Sequence, residues 1–328
     1  MTIRDTFQSF NALNVLIIGD VMIDSYMWGN VNRISPEAPV PIVAVNKKEN
    51  RLGGAANVAL NIQAMGATPV LCSIIGDDDA GKIFFSLLKK QKLRAEGILK
   101  SKNRPTTVKT RIIGNNHQMI RVDEETETPV STAETSALVS AIKMLIVSKK
   151  ISVIIFEDYD KGTVTGELIA AVVAIAKQKN IPTIVDPKKR NFMLYKGVTL
   201  FKPNLKELRE GLKTELDGSN VKELTKVVDA FLKKQNIDSA MITLSEKGVY
   251  INNKKTKTLI PAHIRDIMDV SGAGDTVVSI AALCTAAKLS AETTAILSNL
   301  AGGLVCEKVG VVPVDKKQLL NEALRLEL

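Results

Sequence analysis

The sequence Asp269-Val270-Ser271-Gly272-Ala273-Gly274-Asp275 opens onto an apolar stretch, Val277 to Ala287, that predicts a helix. Gly272 and Gly274 allow the backbone to bend and approach a ligand, and the unpaired N–H groups of a helix start attract an anion. A carboxylate there would repel a phosphate, so we interpret Asp275 as the base that takes a proton from a hydroxyl attacking a nucleotide γ-phosphate. The alternative, that Asp275 only complements the helix dipole, stays open on this stretch alone.

Outward from this stretch, the chain alternates short apolar runs with helical segments. Four runs have the β-branched character of buried parallel strands: Val15 to Ile18, Val70 to Ile75, Val153 to Phe156 and Thr183 to Val185. Helices are predicted to begin near Asp79, Thr132 and Thr163. The alternation predicts an α/β fold, a doubly wound and mostly parallel sheet with helices on both faces. We expect one domain over residues 1–328.

Two extended segments interrupt this alternation and predict a small β-sheet lid formed by about residues 24–50 and 104–123. In the first, Pro36, Pro39 and Pro41 exclude a helix. In the second, residues 106–113 and 118–122 flank a Gly-Asn-Asn turn, as in a hairpin. Such a sheet is suited to close over a site and exclude water.

Polar side chains follow several predicted strands. The clusters Glu157 to Gly162, Asp186 to Lys188 and Lys202 to Glu207 stand at successive strand ends, which indicates a shared cleft because parallel strands end at one edge of a sheet. Asp20 and Asp24 follow the first strand. Asp24 is a candidate for binding sugar hydroxyls, whereas Asp20 is as well explained by shaping a turn.

A glycine pair, Gly53 and Gly54, precedes the helix that carries Asn57. Small residues at a helix start let a ligand approach the backbone, and the Asn57 amide offers both a donor and an acceptor to a hydroxyl. A tight packing contact between helix and strand is the alternative explanation. Because the glycine pair and the asparagine occur together, we favour a sugar-binding role.

The nucleotide side is predicted from polar residues in the C-terminal half. Asn204 and Glu207 share one face of a helix start and are suited to position a hydrated Mg²⁺ beside phosphates, but they also form a good capping box. Thr243 and Ser245 lie in a tight turn that can contact nucleotide phosphates. Asn299 lies in a small-residue helix that could line an adenine pocket, although close helix packing explains the glycines after it equally well.

Composition narrows the class of protein. With 45% hydrophobic and 24% charged residues in 328, the chain is an ordinary globular protein rather than a disordered one. The formal charge of +9 is spread as scattered lysine pairs, and aromatics make up 4%, so no nucleic-acid partner is predicted. The three cysteines lie in apolar surroundings, and the apolar helix is shorter than the roughly 20 residues needed to cross a bilayer. We expect no membrane partner and a cytoplasmic location.

Three motifs carry a resemblance to a known family. Gly53-Gly54, Asn204 to Glu207 and Asp269 to Asp275 occur in the order and rough spacing of the ribokinase-like (PfkB) carbohydrate kinases, which the chain resembles over nearly its whole length. Within that family it is most similar to the D-glycero-β-D-manno-heptose-7-phosphate 1-kinases of ADP-heptose synthesis. The segments behind this narrower resemblance are Gly19 to Asp24, Arg33 to Pro41, Gly53 to Ala59 and Gln118 to Asp123.

The resemblance implies transfer of the ATP γ-phosphate to the 1-hydroxyl of the heptose 7-phosphate, giving the 1,7-bisphosphate. It implies a general base at Asp275 and an anion hole at Gly272, Ala273 and Gly274. The implied ATP-binding residues are Asn204, Leu205, Lys206, Glu207, Thr243, Ser245, Gly248 and Asn299, with Mg²⁺ held through phosphates and water and Asn204 and Glu207 as candidate contacts. The implied substrate-binding residues are Asp24, Gly53, Gly54 and Asn57, with Arg121, Lys161 and Lys188 for the substrate's phosphate.

The resemblance also implies partners. A homodimer through the lid is expected, and a monovalent cation is a further candidate cofactor. In bifunctional relatives a nucleotidyltransferase domain follows the kinase, so any adenylylation step is expected to belong to another protein.

Two alternatives stay open at this point. One is a kinase of the same fold acting on another sugar or sugar phosphate, such as ribose, fructose or a phosphorylated ketose. The other is a non-catalytic nucleotide-binding regulator, which the intact Asp275, Gly272 and Gly274 disfavour. One departure also stands out, because the acidic residues from Glu157 to Asp160 predict a more negative pocket than a sugar-phosphate site needs.

Overall fold

The computed structural model describes residues 2–263 and 265–326. Its α-helices are α1 (Ile3–Ser9), α2 (Ala55–Ala64), α3 (Asp79–Lys90), α4 (Thr132–Ser148), α5 (Gly166–Lys179), α6 (Leu205–Leu212), α7 (Val221–Gln235), α8 (Ala273–Ala286), α9 (Ala291–Cys306) and α10 (Lys316–Arg325). Its strands are β1 (Asn14–Gly19), β2 (Val21–Ile34), β3 (Pro41–Gly54), β4 (Thr68–Gly76), β5 (Gly97–Ser101), β6 (Val108–Gly114), β7 (His117–Glu124), β8 (Val153–Glu157), β9 (Thr183–Asp186), β10 (Leu200–Phe201), β11 (Ser239–Thr243), β12 (Val249–Asn253) and β13 (Lys257–Ile260).

The larger sheet has the strand order β13-β12-β11-β10-β9-β8-β1-β4-β5. In this sheet β11, β10, β9, β8, β1, β4 and β5 run parallel to one another. Strands β12 and β13 add an antiparallel edge. From β1 the chain winds outward through β4 and β5, and it then returns to β8 and winds outward the other way. This confirms the predicted α/β fold with a doubly wound, mostly parallel sheet. Ligands of such sheets bind where the winding direction switches, which here is beyond the carboxyl ends of β1 and β8.

The central strand β1 is buried on both faces. Val15 and Ile17 join the hydrophobic core beneath α2, α8 and α9, whereas Leu16 and Ile18 join the core beneath α4, α5 and α7. A continuous apolar run is what a strand covered by helices on both faces requires. Burying each of these side chains contributes roughly 1.5–3 kcal/mol to the stability of the fold, and β1 contributes side chains to both cores.

Helix α5 begins later than predicted. The sequence placed its start near Thr163, but the helix begins at Gly166, and the side chain of Thr165 caps it by accepting from the Leu168 amide. The reason lies outside the segment, because the Thr163 amide donates to the carboxylate of Asp20 at 3.0 Å. That bond holds the residues before the helix in a loop.

A second, four-stranded sheet has the order β3-β2-β6-β7. Both predicted lid segments, about residues 24–50 and 104–123, contribute to it. Val21 pairs with Gly54 at its base, so the sheet begins beside the Asp20 turn and the start of α2. Closure of this sheet over the site, and its treatment as part of one domain, stay predictions.

Candidate active site

Asp275 lies in the first turn of α8. Gly272, the residue that caps this helix, has φ +78°, a left-handed conformation that favours glycine, and a Cβ there would lie 3.0 Å from Nδ2 of Asn57. Of the three amides predicted to bind an anion, that of Ala273 donates to the Val270 carbonyl at a long 3.3 Å. The start of α8 thus brings a turn, a helix N-terminus and a carboxylate into one place.

The Asp275 carboxylate is 4% exposed and is held at both oxygens. Asn57 donates from Nδ2 to Oδ2 at 2.7 Å, and the Tyr159 hydroxyl donates to Oδ1 at 2.7 Å. Burial raises the pKa of Asp275 to about 6, against the two hydrogen bonds and Lys202, which favour the charged form. A carboxylate with this pKa is ionised at neutral pH and still binds a proton readily, as a general base must.

The loop that carries Tyr159 is tied to the end of β1 by Asp20. The buried Asp20 carboxylate accepts backbone N–H groups from Tyr159 at 2.9 Å, Lys161 at 3.1 Å and Thr163 at 3.0 Å. Of the two interpretations of Asp20, shaping a turn is therefore the one that the contacts support. Tyr159 itself was not predicted as a site residue.

Replacing Asp20 by Asn should lower the free energy of unfolding by about 2 kcal/mol. The amide keeps one acceptor oxygen and turns a donor toward backbone N–H groups that already donate. Urea unfolding measures the loss, and Asp238→Asn, at an exposed aspartate, is the matched control. A change equal to that of the control would contradict the role given to Asp20.

Three buried charged groups stand at the ends of adjacent strands. Lys202, after β10, contacts the carboxylate of Asp186, at the end of β9, with 2.9 Å between Nζ and Oδ2. Burial would lower the pKa of Lys202, but Asp186, Glu207 and Glu157 outweigh it and raise that pKa. Burial, with Asp186 and Asp275, raises the pKa of Glu157 well above its usual range. Gly274 faces the Lys202–Asp186 pair, because a Cβ there would lie 3.7 Å from Oδ2 of Asp186.

These contacts correct the expectation of a more negative pocket. The raised pKa of Glu157 favours its neutral form, and burial raises the pKa of Asp158 to about 7, with Asp20 adding to the shift. Asp158 is also bound by Asn191 and Tyr195, each at 2.9 Å. Desolvation, which composition does not reveal, therefore reduces the negative charge of this cluster, although the bonds from Asn191 and Tyr195 favour the ionised form of Asp158.

On the nucleotide side, Asn204 and Glu207 form the reciprocal capping box at the start of α6. Asn204 accepts from the Glu207 amide and Glu207 accepts from the Asn204 amide, each at 2.8 Å. The other Glu207 oxygen pairs with the ammonium of Lys188. Within residues 2–263 and 265–326, no three acidic, His or Cys side chains gather as a metal site. With both side chains engaged in the capping box, this pair fits Mg²⁺ through phosphates and water, and its role in holding the metal stays a prediction.

The remaining residues predicted for ATP binding lie on neighbouring elements. Thr243 ends β11 and bridges to Asn204, while Ser245 and Gly248 form the turn that follows. Leu205 is partly buried, and Lys206 points to solvent with 81% of its side chain exposed. Asn299, on α9, donates to the Pro261 carbonyl at 2.8 Å, which fixes the segment after β13. Of these residues, Thr243 and Asn204 share one edge of the sheet.

On the substrate side, Asp24 is buried on β2 and pairs with Arg111 of β6. Gly53 is required here, because a Cβ would come within 2.2 Å of the Asp24 carboxylate. Arg111 and Arg51 both contact the ring of Tyr26, at 5.3 and 4.9 Å from its centroid. The two arginines were not predicted, and their strand register, which pairs Arg51 with Asp24 and Arg111 with Tyr26, is what places them together.

The three cations predicted for the substrate's phosphate each pair with a carboxylate. Arg121, on the edge strand β7, is half exposed and pairs with Asp123. Lys161 contacts Glu125 at 2.7 Å and Glu127 at 3.5 Å. Lys188 lies 5.3 Å above the ring of Tyr159, which binds Asp275, while it pairs with Glu207.

Comparison with known proteins decides the family. A model of the pfkB family of carbohydrate kinases matches residues 12–317. The chain belongs to this family. Membership confirms the predicted resemblance and, at the level of the family, a phosphotransferase that acts on carbohydrates.

Relatives within the family are named bifunctional protein HldE. The one from Caulobacter sp. (strain K31) is 38% identical over 318 residues, covering 96% of this chain and 64% of that protein. The one from Koribacter versatilis is 38% identical over 309 residues, covering 94% and 62%. The chain thus spans slightly less than two thirds of these family members.

Two solved structures share the fold of this chain. Phosphofructokinase-2 from Escherichia coli, in complex with potassium, superposes with a TM-score of 0.79 at 17% identity, covering 96% of this chain and 99% of that one. Arabidopsis thaliana ribokinase, complexed with ribose and ATP, gives a TM-score of 0.70 at 16% identity, covering 94% and 98%. Among the residues that the structure describes, no helix has the length and apolar character to span a membrane.

Proposed function

We propose that this protein is an ATP-dependent kinase that transfers the γ-phosphate to the 1-hydroxyl of D-glycero-β-D-manno-heptose 7-phosphate. The observation that carries the proposal is the buried Asp275 carboxylate at the start of α8, held by Asn57 and Tyr159 with a pKa raised by burial to about 6. The choice of sugar is supported by the sequence segments shared with heptose kinases and by the relatives named bifunctional protein HldE.

In this proposal Asp275 removes the proton of the 1-hydroxyl as that oxygen attacks the γ-phosphorus and the bond to the ADP oxygen breaks. The amides of Gly272, Ala273 and Gly274 face the charge on the transferred group. Bound Mg²⁺ would neutralise charge on the phosphates, which Asn204 and Glu207 adjoin through water. Asn57 orients Asp275 from one side, and its Oδ1 has no protein partner in the described residues, so it offers an acceptor to a sugar hydroxyl.

The sugar is assigned to Asp24, Gly53, Gly54 and Asn57. Its phosphate, at the end of the sugar remote from the reacting hydroxyl, is assigned to cations of the second sheet, where Arg111 and Arg51 join Arg121. Lys161 and Lys188 remain candidates. All five cations pair with carboxylates, so an incoming phosphate must displace or share a carboxylate partner at each of them.

The proposal is tested by ADP release from MgATP with heptose 7-phosphate, unphosphorylated heptose, ribose, fructose and fructose 6-phosphate. We expect preference for heptose 7-phosphate, with ³¹P NMR placing the new phosphate on carbon 1. Turnover only with another sugar would keep the role of Asp275 and overturn the heptose assignment. Absence of turnover, with ATP still bound, would favour a nucleotide-binding regulator.

We also propose that the second sheet is a lid through which two copies pair. Its edge strand β7 exposes Ile120 at 55% and Val122 at 44%, and Ile112 of β6 lies beside Ile120 on the same face. Exposed apolar side chains on an unpaired edge strand favour pairing with a second copy. Sedimentation equilibrium at micromolar concentration should show a dimer that Ile120→Glu weakens. A monomer at all concentrations would contradict this.

A further inference from the structure

We propose that Tyr159 is a positioning residue for phosphoryl transfer, whose hydroxyl holds Oδ1 of Asp275 so that the carboxylate stays oriented toward the attacking hydroxyl. The inference rests on the proposed function, in which Asp275 is the base. No sequence motif assigned a role to Tyr159, which stands 116 positions before its partner in the chain.

The geometry gives each Asp275 oxygen one donor. Asn57 approaches Oδ2 from α2, and Tyr159 approaches Oδ1 from the loop after β8, both at 2.7 Å. A carboxylate oxygen accepts more than one hydrogen bond, so each still has capacity for a substrate hydroxyl. With a donor on each side, rotation of the carboxylate about its Cβ–Cγ bond would break both bonds.

Tyr159 is itself held in place. Its amide donates to Asp20 at 2.9 Å, and the Lys188 ammonium lies 5.3 Å above its ring. Burial, with Asp275 and Glu157, raises the pKa of Tyr159 well above its usual range. The phenol therefore stays protonated and donates at neutral pH.

Charged groups from several elements face Asp275. Asp186, at the end of β9, disfavours the ionised form of Asp275, whereas Lys202, after β10, favours it. Glu157, at the end of β8, also lies near Asp275, and its own raised pKa favours its neutral form. Loss of the Tyr159 donor would leave Asn57 and Lys202 to stabilise the charge. The proton affinity of Asp275 should then increase.

Tyr159→Phe removes the hydroxyl and keeps the ring. The acid limb of kcat/KM, which reports the ionisation of the base in the free enzyme, should move up by about one pH unit, and kcat on the plateau should fall about 10-fold. The KM for ATP should stay within a few-fold. Tyr250→Phe, which removes a buried hydroxyl bonded to Thr225 and Asn252, is the matched control and should leave the limb in place.

A second measurement needs no sugar. Selective ¹³Cγ-Asp labelling follows the titration of Asp275, whose signal is assigned by its loss in Asp275→Asn. We expect a higher midpoint in Tyr159→Phe than in wild type. Equal midpoints in the two proteins would overturn the role of Tyr159, even if the kinase proves active on heptose 7-phosphate. Conversely, if no sugar is turned over, a shifted midpoint would support the contact while the proposed function fails.

A second variant, expected to shift the Asp275 titration in the opposite direction, tests the inference if Tyr159→Phe does not fold. Fluorinated tyrosine at position 159 makes the phenol a stronger donor with little change in shape. The Asp275 midpoint should then fall below that of wild type. A rise or no change would contradict the inference.

Discussion

Asp275→Asn should lower kcat by about 10³-fold. The amide cannot take the proton of the attacking hydroxyl, and it removes the only group in the first turn of α8 that could do so, since Gly272, Ala273 and Gly274 contribute no ionisable side chain. ADP release with the best sugar of the panel measures the effect. Binding of ATP should stay within a few-fold, because the residues assigned to the nucleotide are unchanged.

The control for this variant is Asp266→Asn, at an exposed aspartate on the segment before α8.

The free energy of unfolding should also distinguish Asp275→Asn from Asp266→Asn. The folded-state pKa of Asp275, about 6, lies above its ordinary value of 3.8, so this group stabilises the fold at low pH and loses that contribution as pH rises through about 6. At pH 7.5 the asparagine variant should therefore be more stable than wild type, by about 1–3 kcal/mol. If Asp275→Asn turns over sugar at a rate within 10-fold of wild type, Asp275 is not the general base.

Lys202→Met should lower the free energy of unfolding by about 3–5 kcal/mol. The Lys202 side chain is 3% exposed, and its ammonium is the partner of the Asp186 carboxylate. Its removal leaves the buried Asp186 without its ion-pair partner and with Lys188 as the remaining nearby cation, which is the costly case for a buried ion pair. Urea unfolding at neutral pH measures the loss.

A double-mutant cycle provides the control. Lys202→Met combined with Asp186→Asn removes both charges and should recover much of the stability lost in the single variant. Lys179→Met, at an exposed lysine, should change little. Losses in the double variant equal to the sum of the two single losses would show that the pair is not coupled.

The sequence was sufficient for the fold because its signals are local. The apolar run at Val15 to Ile18 and the alternation after it predict buried parallel strands, and β1, β4, β8 and β9 have that form. The start of α5 differs from the prediction because Thr165 caps the helix, while the distant Asp20 carboxylate holds the Thr163 amide in the preceding loop. The cap is a local signal, but the bond to Asp20 is a tertiary contact that the local sequence does not reveal.

Some residues of the candidate site are also predictable from local sequence, whereas others are not. Asp275 and the Gly53–Gly54 pair could be identified from short motifs, as could the Asn204 capping box. Tyr159 and Arg111 could not, because their relation to the site depends on loop geometry and on strand register across the second sheet. The roles given to Arg121 and Lys161 rested on charge alone, and both side chains contact carboxylates in the structure.

Asp275 and the two residues that bind its carboxylate are far apart in the sequence, so they are synthesised at different times. Asn57 and Tyr159 are synthesised long before Asp275, which lies 218 and 116 positions after them. If Asp275 is the base, as proposed, a nascent chain lacks that group until α8 has emerged and packed against α2. An incomplete chain would then be unable to phosphorylate the sugar.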